Sequence, residues 1–305
     1  MAGASERSRF VRIDANVRER ADWVAEGAGG VAYGAGKAIV VERNGVDEVG
    51  VSRLGADFPV VDAAFLGRRL FLAGADRRIH EVRLGPPVDM GGIVPLSPAP
   101  TGPLQLTSME SWLVVAEDEA GLRFVPVLGV KACHPNHREQ GVLPLKQSFR
   151  ALAASKRIVY AALAGGGLLE IDANDPAHPF VRRSIPHAVP IRALAASSSV
   201  LYLIGDRGLE LIDLAGRDAH RSEIHENVTG RSIELAGRVL RIAGGDAGVA
   251  AFRDVSSASQ TFDVSVNDDY FTPHALTVAL GDTVRWSNAT GDLHNVVSCT
   301  PDQIG

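Results

Sequence analysis

The chain has 305 residues, a hydrophobic share of 46%, a charged share of 22% and a formal net charge of −5. That balance belongs to a globular protein with a large core rather than to a disordered chain, and the lack of a basic excess argues against nucleic acid or an anionic membrane as partner. No apolar run reaches the roughly 18 to 20 residues that cross a bilayer, and the first residues lack the apolar core of a secretory signal. The two cysteines, Cys133 and Cys299, form no CxxC motif.

Taken in chain order, short apolar runs recur as VAY (31–33), LFL (70–72), LVV (113–115), VYA (159–161), LYL (201–203) and LRI (240–242), with spacings of 39, 43, 46, 42 and 39 residues. Each run is followed by a tight, turn-forming segment and another apolar stretch, as in GADRRIHEV, LAGGGLLEID and GDRGLELID. A third apolar segment precedes most runs: PVVDAAF, PLQLTS, FRALAAS, IRALAAS and RSIELAG. A more polar fourth segment closes the unit, as in DEVGVSRLG, HPFVRRSIP and HRSEIHEN. Four strands per unit at a period near forty residues, six times over, predict an all-β chain built as a six-bladed β-propeller over residues 9–257. Helical repeats would need longer runs with a 3.6-residue period. The sixth unit lacks a polar outer strand, and RFVRIDA (9–15) resembles FVRRS (180–184) of the fourth, so residues 9–15 are expected to close the last blade and remove two open sheet edges.

GLLEIDANDPAHPFVRRSIP (167–186) and RGLELIDLAGRD (207–218) carry a G-L-x-x-[IV]-D core, in the first case with a following D-P-x-x-P. In this the propeller resembles the LVIVD-repeat proteins of bacterial and archaeal surfaces, closely in units four and five and loosely in one to three.

Few residues of the propeller carry chemistry. His187 and His225 both precede innermost strands, where they could share a metal or an acid/base role at the axis; the bland alternative is two solvated loop histidines. Cys133, His134 and His137 fall within five residues, three ligand types where a structural metal site wants four, or else a turn-rich insertion in the third unit. The glycines of 27–37 read as blade turns, and Asp268 and Asp269 have no partnering base. No GxSxG, HExxH, Walker or dinucleotide motif is present, so no enzyme is expected.

From Thr261 the pattern changes to longer strands. Val264 and Val266, then Leu276, Val278 and Leu280, then Val284 and Trp286 alternate as in a sandwich with one buried face. The order V-N-D-D-Y-F-T-P, L-T-V-A-L-G-D-T-V-R-W-S-N, H-N-V over residues 260–305 is similar to the plastocyanin and azurin-like cupredoxins. The resemblance implies the N-terminal part of a cupredoxin β-sandwich, with His294 as first ligand of a type 1 copper. A Y-x-x-C-x-x-H-x-x-x-M cluster would supply the remaining ligands, and none occurs in the chain; Cys299 suits a disulfide to a cysteine beyond Gly305 better than a copper thiolate. One histidine cannot hold copper alone.

The expectation is therefore a fragment of an extracytoplasmic, periplasmic or cell-surface, electron-transfer protein. Copper would be its cofactor, a redox protein or a surface protein its partner, and the propeller its docking domain. A copper enzyme in the manner of nitrous oxide reductase would need a repeated histidine position that the propeller lacks. The alternative is a non-catalytic binding or scaffold propeller with no functional metal site.

Overall fold

In the computed structural model, residues 10–17, 19–28, 30–43, 50–85, 87–127, 141–214, 220–225, 228–254, 261–266, 271–272 and 283–288 are described. Strand β1 (Phe10–Val17) comes first and belongs, as shown below, to the last sheet. Blade one is β2 (Trp23–Gly27), β3 (Gly30–Ala35), β4 (Ala38–Arg43) and β5 (Gly50–Gly55), each pairing antiparallel with the next. Blade two is β6 (Val60–Leu66), β7 (Arg69–Gly74), β8 (Ile79–Arg83) and β9 (Asp89–Val94). Blade three is β10 (Leu104–Met109), β11 (Trp112–Glu117), β12 (Leu122–Pro126) and the short β13 (Gly141–Leu143). Blade four is β14 (Phe149–Ser155), β15 (Ile158–Leu163), β16 (Leu168–Asp172) and β17 (Phe180–Ile185), and blade five is β18 (Ile191–Ala196), β19 (Val200–Gly205), β20 (Gly208–Asp213) and β21 (His220–His225).

Blade six takes only three strands from its own repeat, β22 (Ser232–Ala236), β23 (Val239–Ala243) and β24 (Val249–Asp254), and β1 is its fourth. The pairing of β1 with β24 is antiparallel, from Phe10 opposite Asp254 to Val17 opposite Val249, with an irregularity after Ile13. Backbone bonds between Ala21 and Gly245 add a second tie between the first and last blades.

Why the repeats close into a ring follows from their burial. Outer strand β5 alternates and β17 is mostly exposed, whereas second and third strands are buried on both faces, as in β11 and β20. A strand buried on both faces needs a neighbouring sheet on each side. Six hydrophobic clusters supply this, one at each blade-to-blade contact. Trp23, Phe65, Leu70 and Leu72 join blades one and two, while Trp112, Phe124, Val159 and Ile171 join three and four. Tyr160, Leu168 and Leu203 join four and five, and Val24, Tyr33 and Val249 join six and one. At roughly 1.5–3 kcal/mol for each large apolar side chain buried, these contacts dominate the favourable side of folding.

Turn chemistry sets the register. The hairpin between the first two strands of a blade opens on a residue with positive φ: Gly67 in blade two and Gly237 in blade six, but Glu110 in blade three and Lys156 in blade four. That left-handed conformation suits the twist of a two-residue hairpin and costs a non-glycine residue more than it costs glycine.

After the propeller, β25 (Thr261–Val266), β26 (Phe271–Thr272) and β27 (Thr283–Asn288) form a three-stranded sheet in which β25 pairs antiparallel with β26 and parallel with β27. Val264 and Val266 are buried as their alternation requires. Trp286, expected on the buried face, is 48% exposed and Val284 is only half-buried. The sheet as described is three strands wide, too narrow to cover an indole. Leu276, Val278, Leu280 and His294 lie outside the described residues. The structure thus gives a six-bladed propeller and a small separate sheet; a cupredoxin sandwich is not among the described elements.

Candidate functional site: the axial channel

Six sheets radiating from one axis leave least room where β2, β6, β10, β14, β18 and β22 converge. Blades four and five meet this constraint with the same R-A-L-A-A wording, and Ala151, Ala153, Ala193 and Ala195 are buried there. Each innermost strand is also a sheet edge, so its outward N–H and C=O groups have no ladder partner and need others. The six strands enclose a cavity of about 240 Å³ lined by residues of every blade.

Three of the innermost strands carry an acid, unlike the R-A-L-A-A strands of blades four and five: Glu26 on β2, Asp62 on β6 and Glu234 on β22. They belong to blades one, two and six, which are neighbours once the ring is closed. Asp62 Oδ1 accepts the N–H of Ala63 at 2.9 Å and Oδ2 that of Leu106 at 2.7 Å. The second bond crosses from blade two to the open edge of blade three. Ser232 does the same between blades six and one, its hydroxyl accepting the Val24 N–H at 3.3 Å and donating to the Val24 carbonyl at 3.4 Å.

Burial pushes the Asp62 carboxyl up to about 7, against the pull of its two N–H donors. Burial also raises Glu26, opposed by the guanidinium of Arg241 that is bonded to it. Glu234 is pushed highest, to about 8, by burial first and then by the charges of Glu26 and Asp62, with only the Leu235 N–H opposing. Arg241 stands opposite Glu234 across the β22–β23 ladder, yet its ion pair is with Glu26. The channel floor is therefore short of positive charge.

Its mouth is different. A bulge interrupts the ladder at one equivalent place in β6, β14 and β18, between Val60 and Asp62, Phe149 and Ala151, and Ile191 and Ala193. Bulges re-aim side chains, and the inserted residues Val61, Arg150 and Arg192 are all exposed. Arg192 pairs with Asp206, and Arg231, just before β22, lies 3.3 Å from Asp22. Arg192, Arg231 and Asp22 line the same cavity as the acids.

The histidines expected at the axis are not there. His187 lies in the β17–β18 connection with an 8% exposed side chain, Nδ1 2.7 Å from the Val189 carbonyl and Nε2 3.4 Å from Glu210 of β20. It ties a loop to blade five and is neither solvated nor a channel residue. His225 ends β21, the outer strand of blade five, opposite Leu209; the chain must still cross from that rim to the axis, so the two rings do not meet there. Cys133, His134, His137, Cys299, Asp268 and Asp269 lie outside the described residues. Among the described residues, no three His, Cys, Asp or Glu side chains are placed to hold a metal ion. The acids of the channel escaped the sequence reading because they are scattered over blades one, two and six. The available signal was an acid inside an apolar inner strand, most visibly in VDAAF against the RALAA of blades four and five.

With this geometry the chain belongs to the class of β-propellers. No protein-family model and no curated protein matches it. Among solved structures it is similar to U3-55K, at 11% identity and a TM-score of 0.55 over 76% of this chain and 80% of that one. It is similar also to the β-propeller domain of Cps50 (Swd1) of Myceliophteria thermophila, at 10% identity and 0.56 over 76% and 83%. A chain of a mitotic checkpoint complex matches at 11% identity and 0.56 over 83% of this chain and 95% of its own length. At such identities the likeness establishes the fold and nothing finer.

Proposed function

We propose that this chain is a non-catalytic binding propeller whose working surface is the channel mouth. The observation that carries the reading is the repeated bulge that turns Val61, Arg150 and Arg192 outward around the opening, next to Arg231. Arginines beside an apolar side chain, held by a stiff scaffold, are the composition of protein-binding hot spots, and they favour a partner that brings carboxylates. Other charged groups are paired across the strands of a blade: Glu117 with Arg123, Glu81 with Arg69, Glu170 with Arg183. That is the pattern of a frame rather than of a catalyst. The test is a photo-crosslinking amino acid placed at Arg150 and, as a control, at Phe180 on the outer rim. Partner crosslinks at 150 that vanish in Arg192→Glu support the reading; equal crosslinking at both positions refutes it.

A second reading is favoured by the parallel pairing of β25 with β27. Parallel pairs need a crossover and covered faces, so this sheet suits one layer of a larger sandwich of cupredoxin type. On that reading copper would sit at His294, with its other ligands supplied from beyond these 305 residues, and the propeller would dock an extracytoplasmic electron carrier to a redox partner or cell-surface protein. The LVIVD wording of blades four and five is in keeping with such a setting. The test is the copper content and thiolate charge-transfer colour of the product of the complete coding region. Colour lost in His294→Ala supports it, and a copper-free product ends it.

A further inference from the structure

In blades two, three and five the third strand carries a polar side chain at the same place, directly after its first buried apolar residue: His80 after Ile79, Arg123 after Leu122 and Glu210 after Leu209. Each holds the loop that feeds the innermost strand of its own blade. His80 stacks on Phe58, ring centroids 3.7 Å apart, with Nε2 3.0 Å from Asp76 Oδ2. Arg123 donates to the Pro98 carbonyl at 3.1 Å. Glu210 meets His187 of the loop 186–190, and the same loop is tied to blade four, where the Gly167 N–H donates to the His187 carbonyl at 3.1 Å. In blades two and five the loop so held leads straight into a bulge, at Val61 and at Arg192.

The three latches differ in what they ask of a proton. Arg123 stays charged throughout the range in which proteins fold. The bond of His80 to Asp76 needs a single ring N–H, which neutral imidazole supplies. His187 is held by acceptors at both nitrogens: Nδ1 lies 2.7 Å from the Val189 carbonyl and Nε2 3.4 Å from Glu210 Oε2. A neutral ring has one N–H and can serve only one of the two, so both contacts together require imidazolium. Arg207 of the β19–β20 turn lies 3.3 Å from Glu210 Oε1, and its neighbour Asp206 pairs with Arg192. Arg182 and Arg183 of β17 pair with Glu170, the blade-four turn 164–167 brings only alanine and glycine, and β21 sets Ile224 opposite Glu210. His187, Glu210, Arg207, Asp206 and Arg192 thus form one line of alternating charge from the loop to the rim.

We propose that His187 is a proton-operated latch on the docking rim. Protonated, it fixes the loop 186–190 and with it the setting of Arg192; neutral, it frees the loop and the rim loses affinity for its partner. The inference rests on the reading of the mouth as a docking surface and makes docking favoured at mildly acidic pH. The sign follows from the geometry: the closed latch holds the extra proton, so its contribution is present at low pH and lost as pH rises.

The experiment is hydrogen exchange of the full chain, read as protection factors at about pH 5.5 and about pH 8. The loop 186–192 and the Gly167 amide are expected to lose protection roughly tenfold at the higher pH, the worth of one hydrogen bond. Loops 56–60 and 97–103, held by His80 and Arg123, should keep theirs. His187→Gln, which cannot be charged, should show the same protection at both pH values, and a thermal melt near the parent's shows that the variant is folded. Protection of 186–192 indifferent to pH, a loss shared equally by all three loops, or a pH response that persists in His187→Gln would each overturn the proposal. So would partner crosslinks at position 150 that are equally strong at both pH values in a parent whose loop responds. A responding loop with no crosslink at either pH would reject the docking surface alone, and crosslinks with an unresponsive loop would reject the latch alone.

Discussion

Asp62 shows how one residue can serve the ring and the channel at once. Its carboxyl takes the Leu106 N–H, a part-buried group on the open strand edge of blade three. Asp62→Ala is expected to destabilise the fold by about 1–3 kcal/mol, the cost of a buried donor left unmade, and Asp62→Asn, which keeps an acceptor, by distinctly less; urea midpoints of the two variants check this. Titration gives a second expectation. Asp62 and Glu234 hold protons in the folded chain up to about pH 7 and 8, whereas unfolded carboxyls release theirs near pH 4. Between those limits the folded state binds more protons, so stability is full below about pH 4 as far as these two groups are concerned and falls as pH rises toward 8. Urea midpoints from pH 5 to pH 8 should therefore decline, and Glu234→Gln should flatten the slope.

At the scale of the element, blade three carries a buried ion pair between β11 and β12. Glu117 and Arg123 are 4% and 6% exposed, with Nε to Oε1 at 2.5 Å and the second nitrogen to Oε2 at 2.8 Å, and Arg123 also donates to the Pro98 carbonyl. Burial raises the Glu117 carboxyl and Arg123 opposes this. Arg123→Met should cost about 3–5 kcal/mol because it strands the carboxylate, while Glu117→Leu with Arg123→Met should restore most of the loss; a double-mutant cycle by denaturant melt measures both. Elements of this kind were partly legible in the sequence. The apolar runs and turns mark the strands because a strand buried between two sheets must be apolar over its length, and HPFVRRSIP and HRSEIHEN read as outer strands because they are polar where the inner strands are apolar. The bulges at Val61, Arg150 and Arg192 were not legible, since an inserted residue leaves the apolar pattern intact and shows only in the pairing. Nor was the meeting of Glu26 with Arg241, 215 positions apart, which exists only once the ring is closed. Trp286 misled in the opposite way: its alternation with Val284 is that of a buried face, but a three-stranded sheet alone does not bury it.

At the scale of the whole molecule, stability is shared among six similar contacts, and one of them is sealed by distant parts of the chain. Removing residues 1–17 strips β1 from β24 and leaves an open edge on blade six. The truncated chain should melt at lower temperature and associate through that edge, which calorimetry and light scattering would register, while the loss of a terminal segment elsewhere in a repeat array would be milder. Pairing Phe10 with Asp254 also has a consequence for synthesis. The strand that closes the ring leaves the ribosome before all six blades, and its partner follows about 240 residues later, roughly 12–50 s at 5–20 residues per second. For that interval the nascent chain carries an orphan strand ahead of its blades, exposed to any chaperone or neighbouring chain with an edge to offer. Ring closure thus waits on synthesis of the last blade, and a protease added to stalled chains should cut near β1 until β24 has emerged.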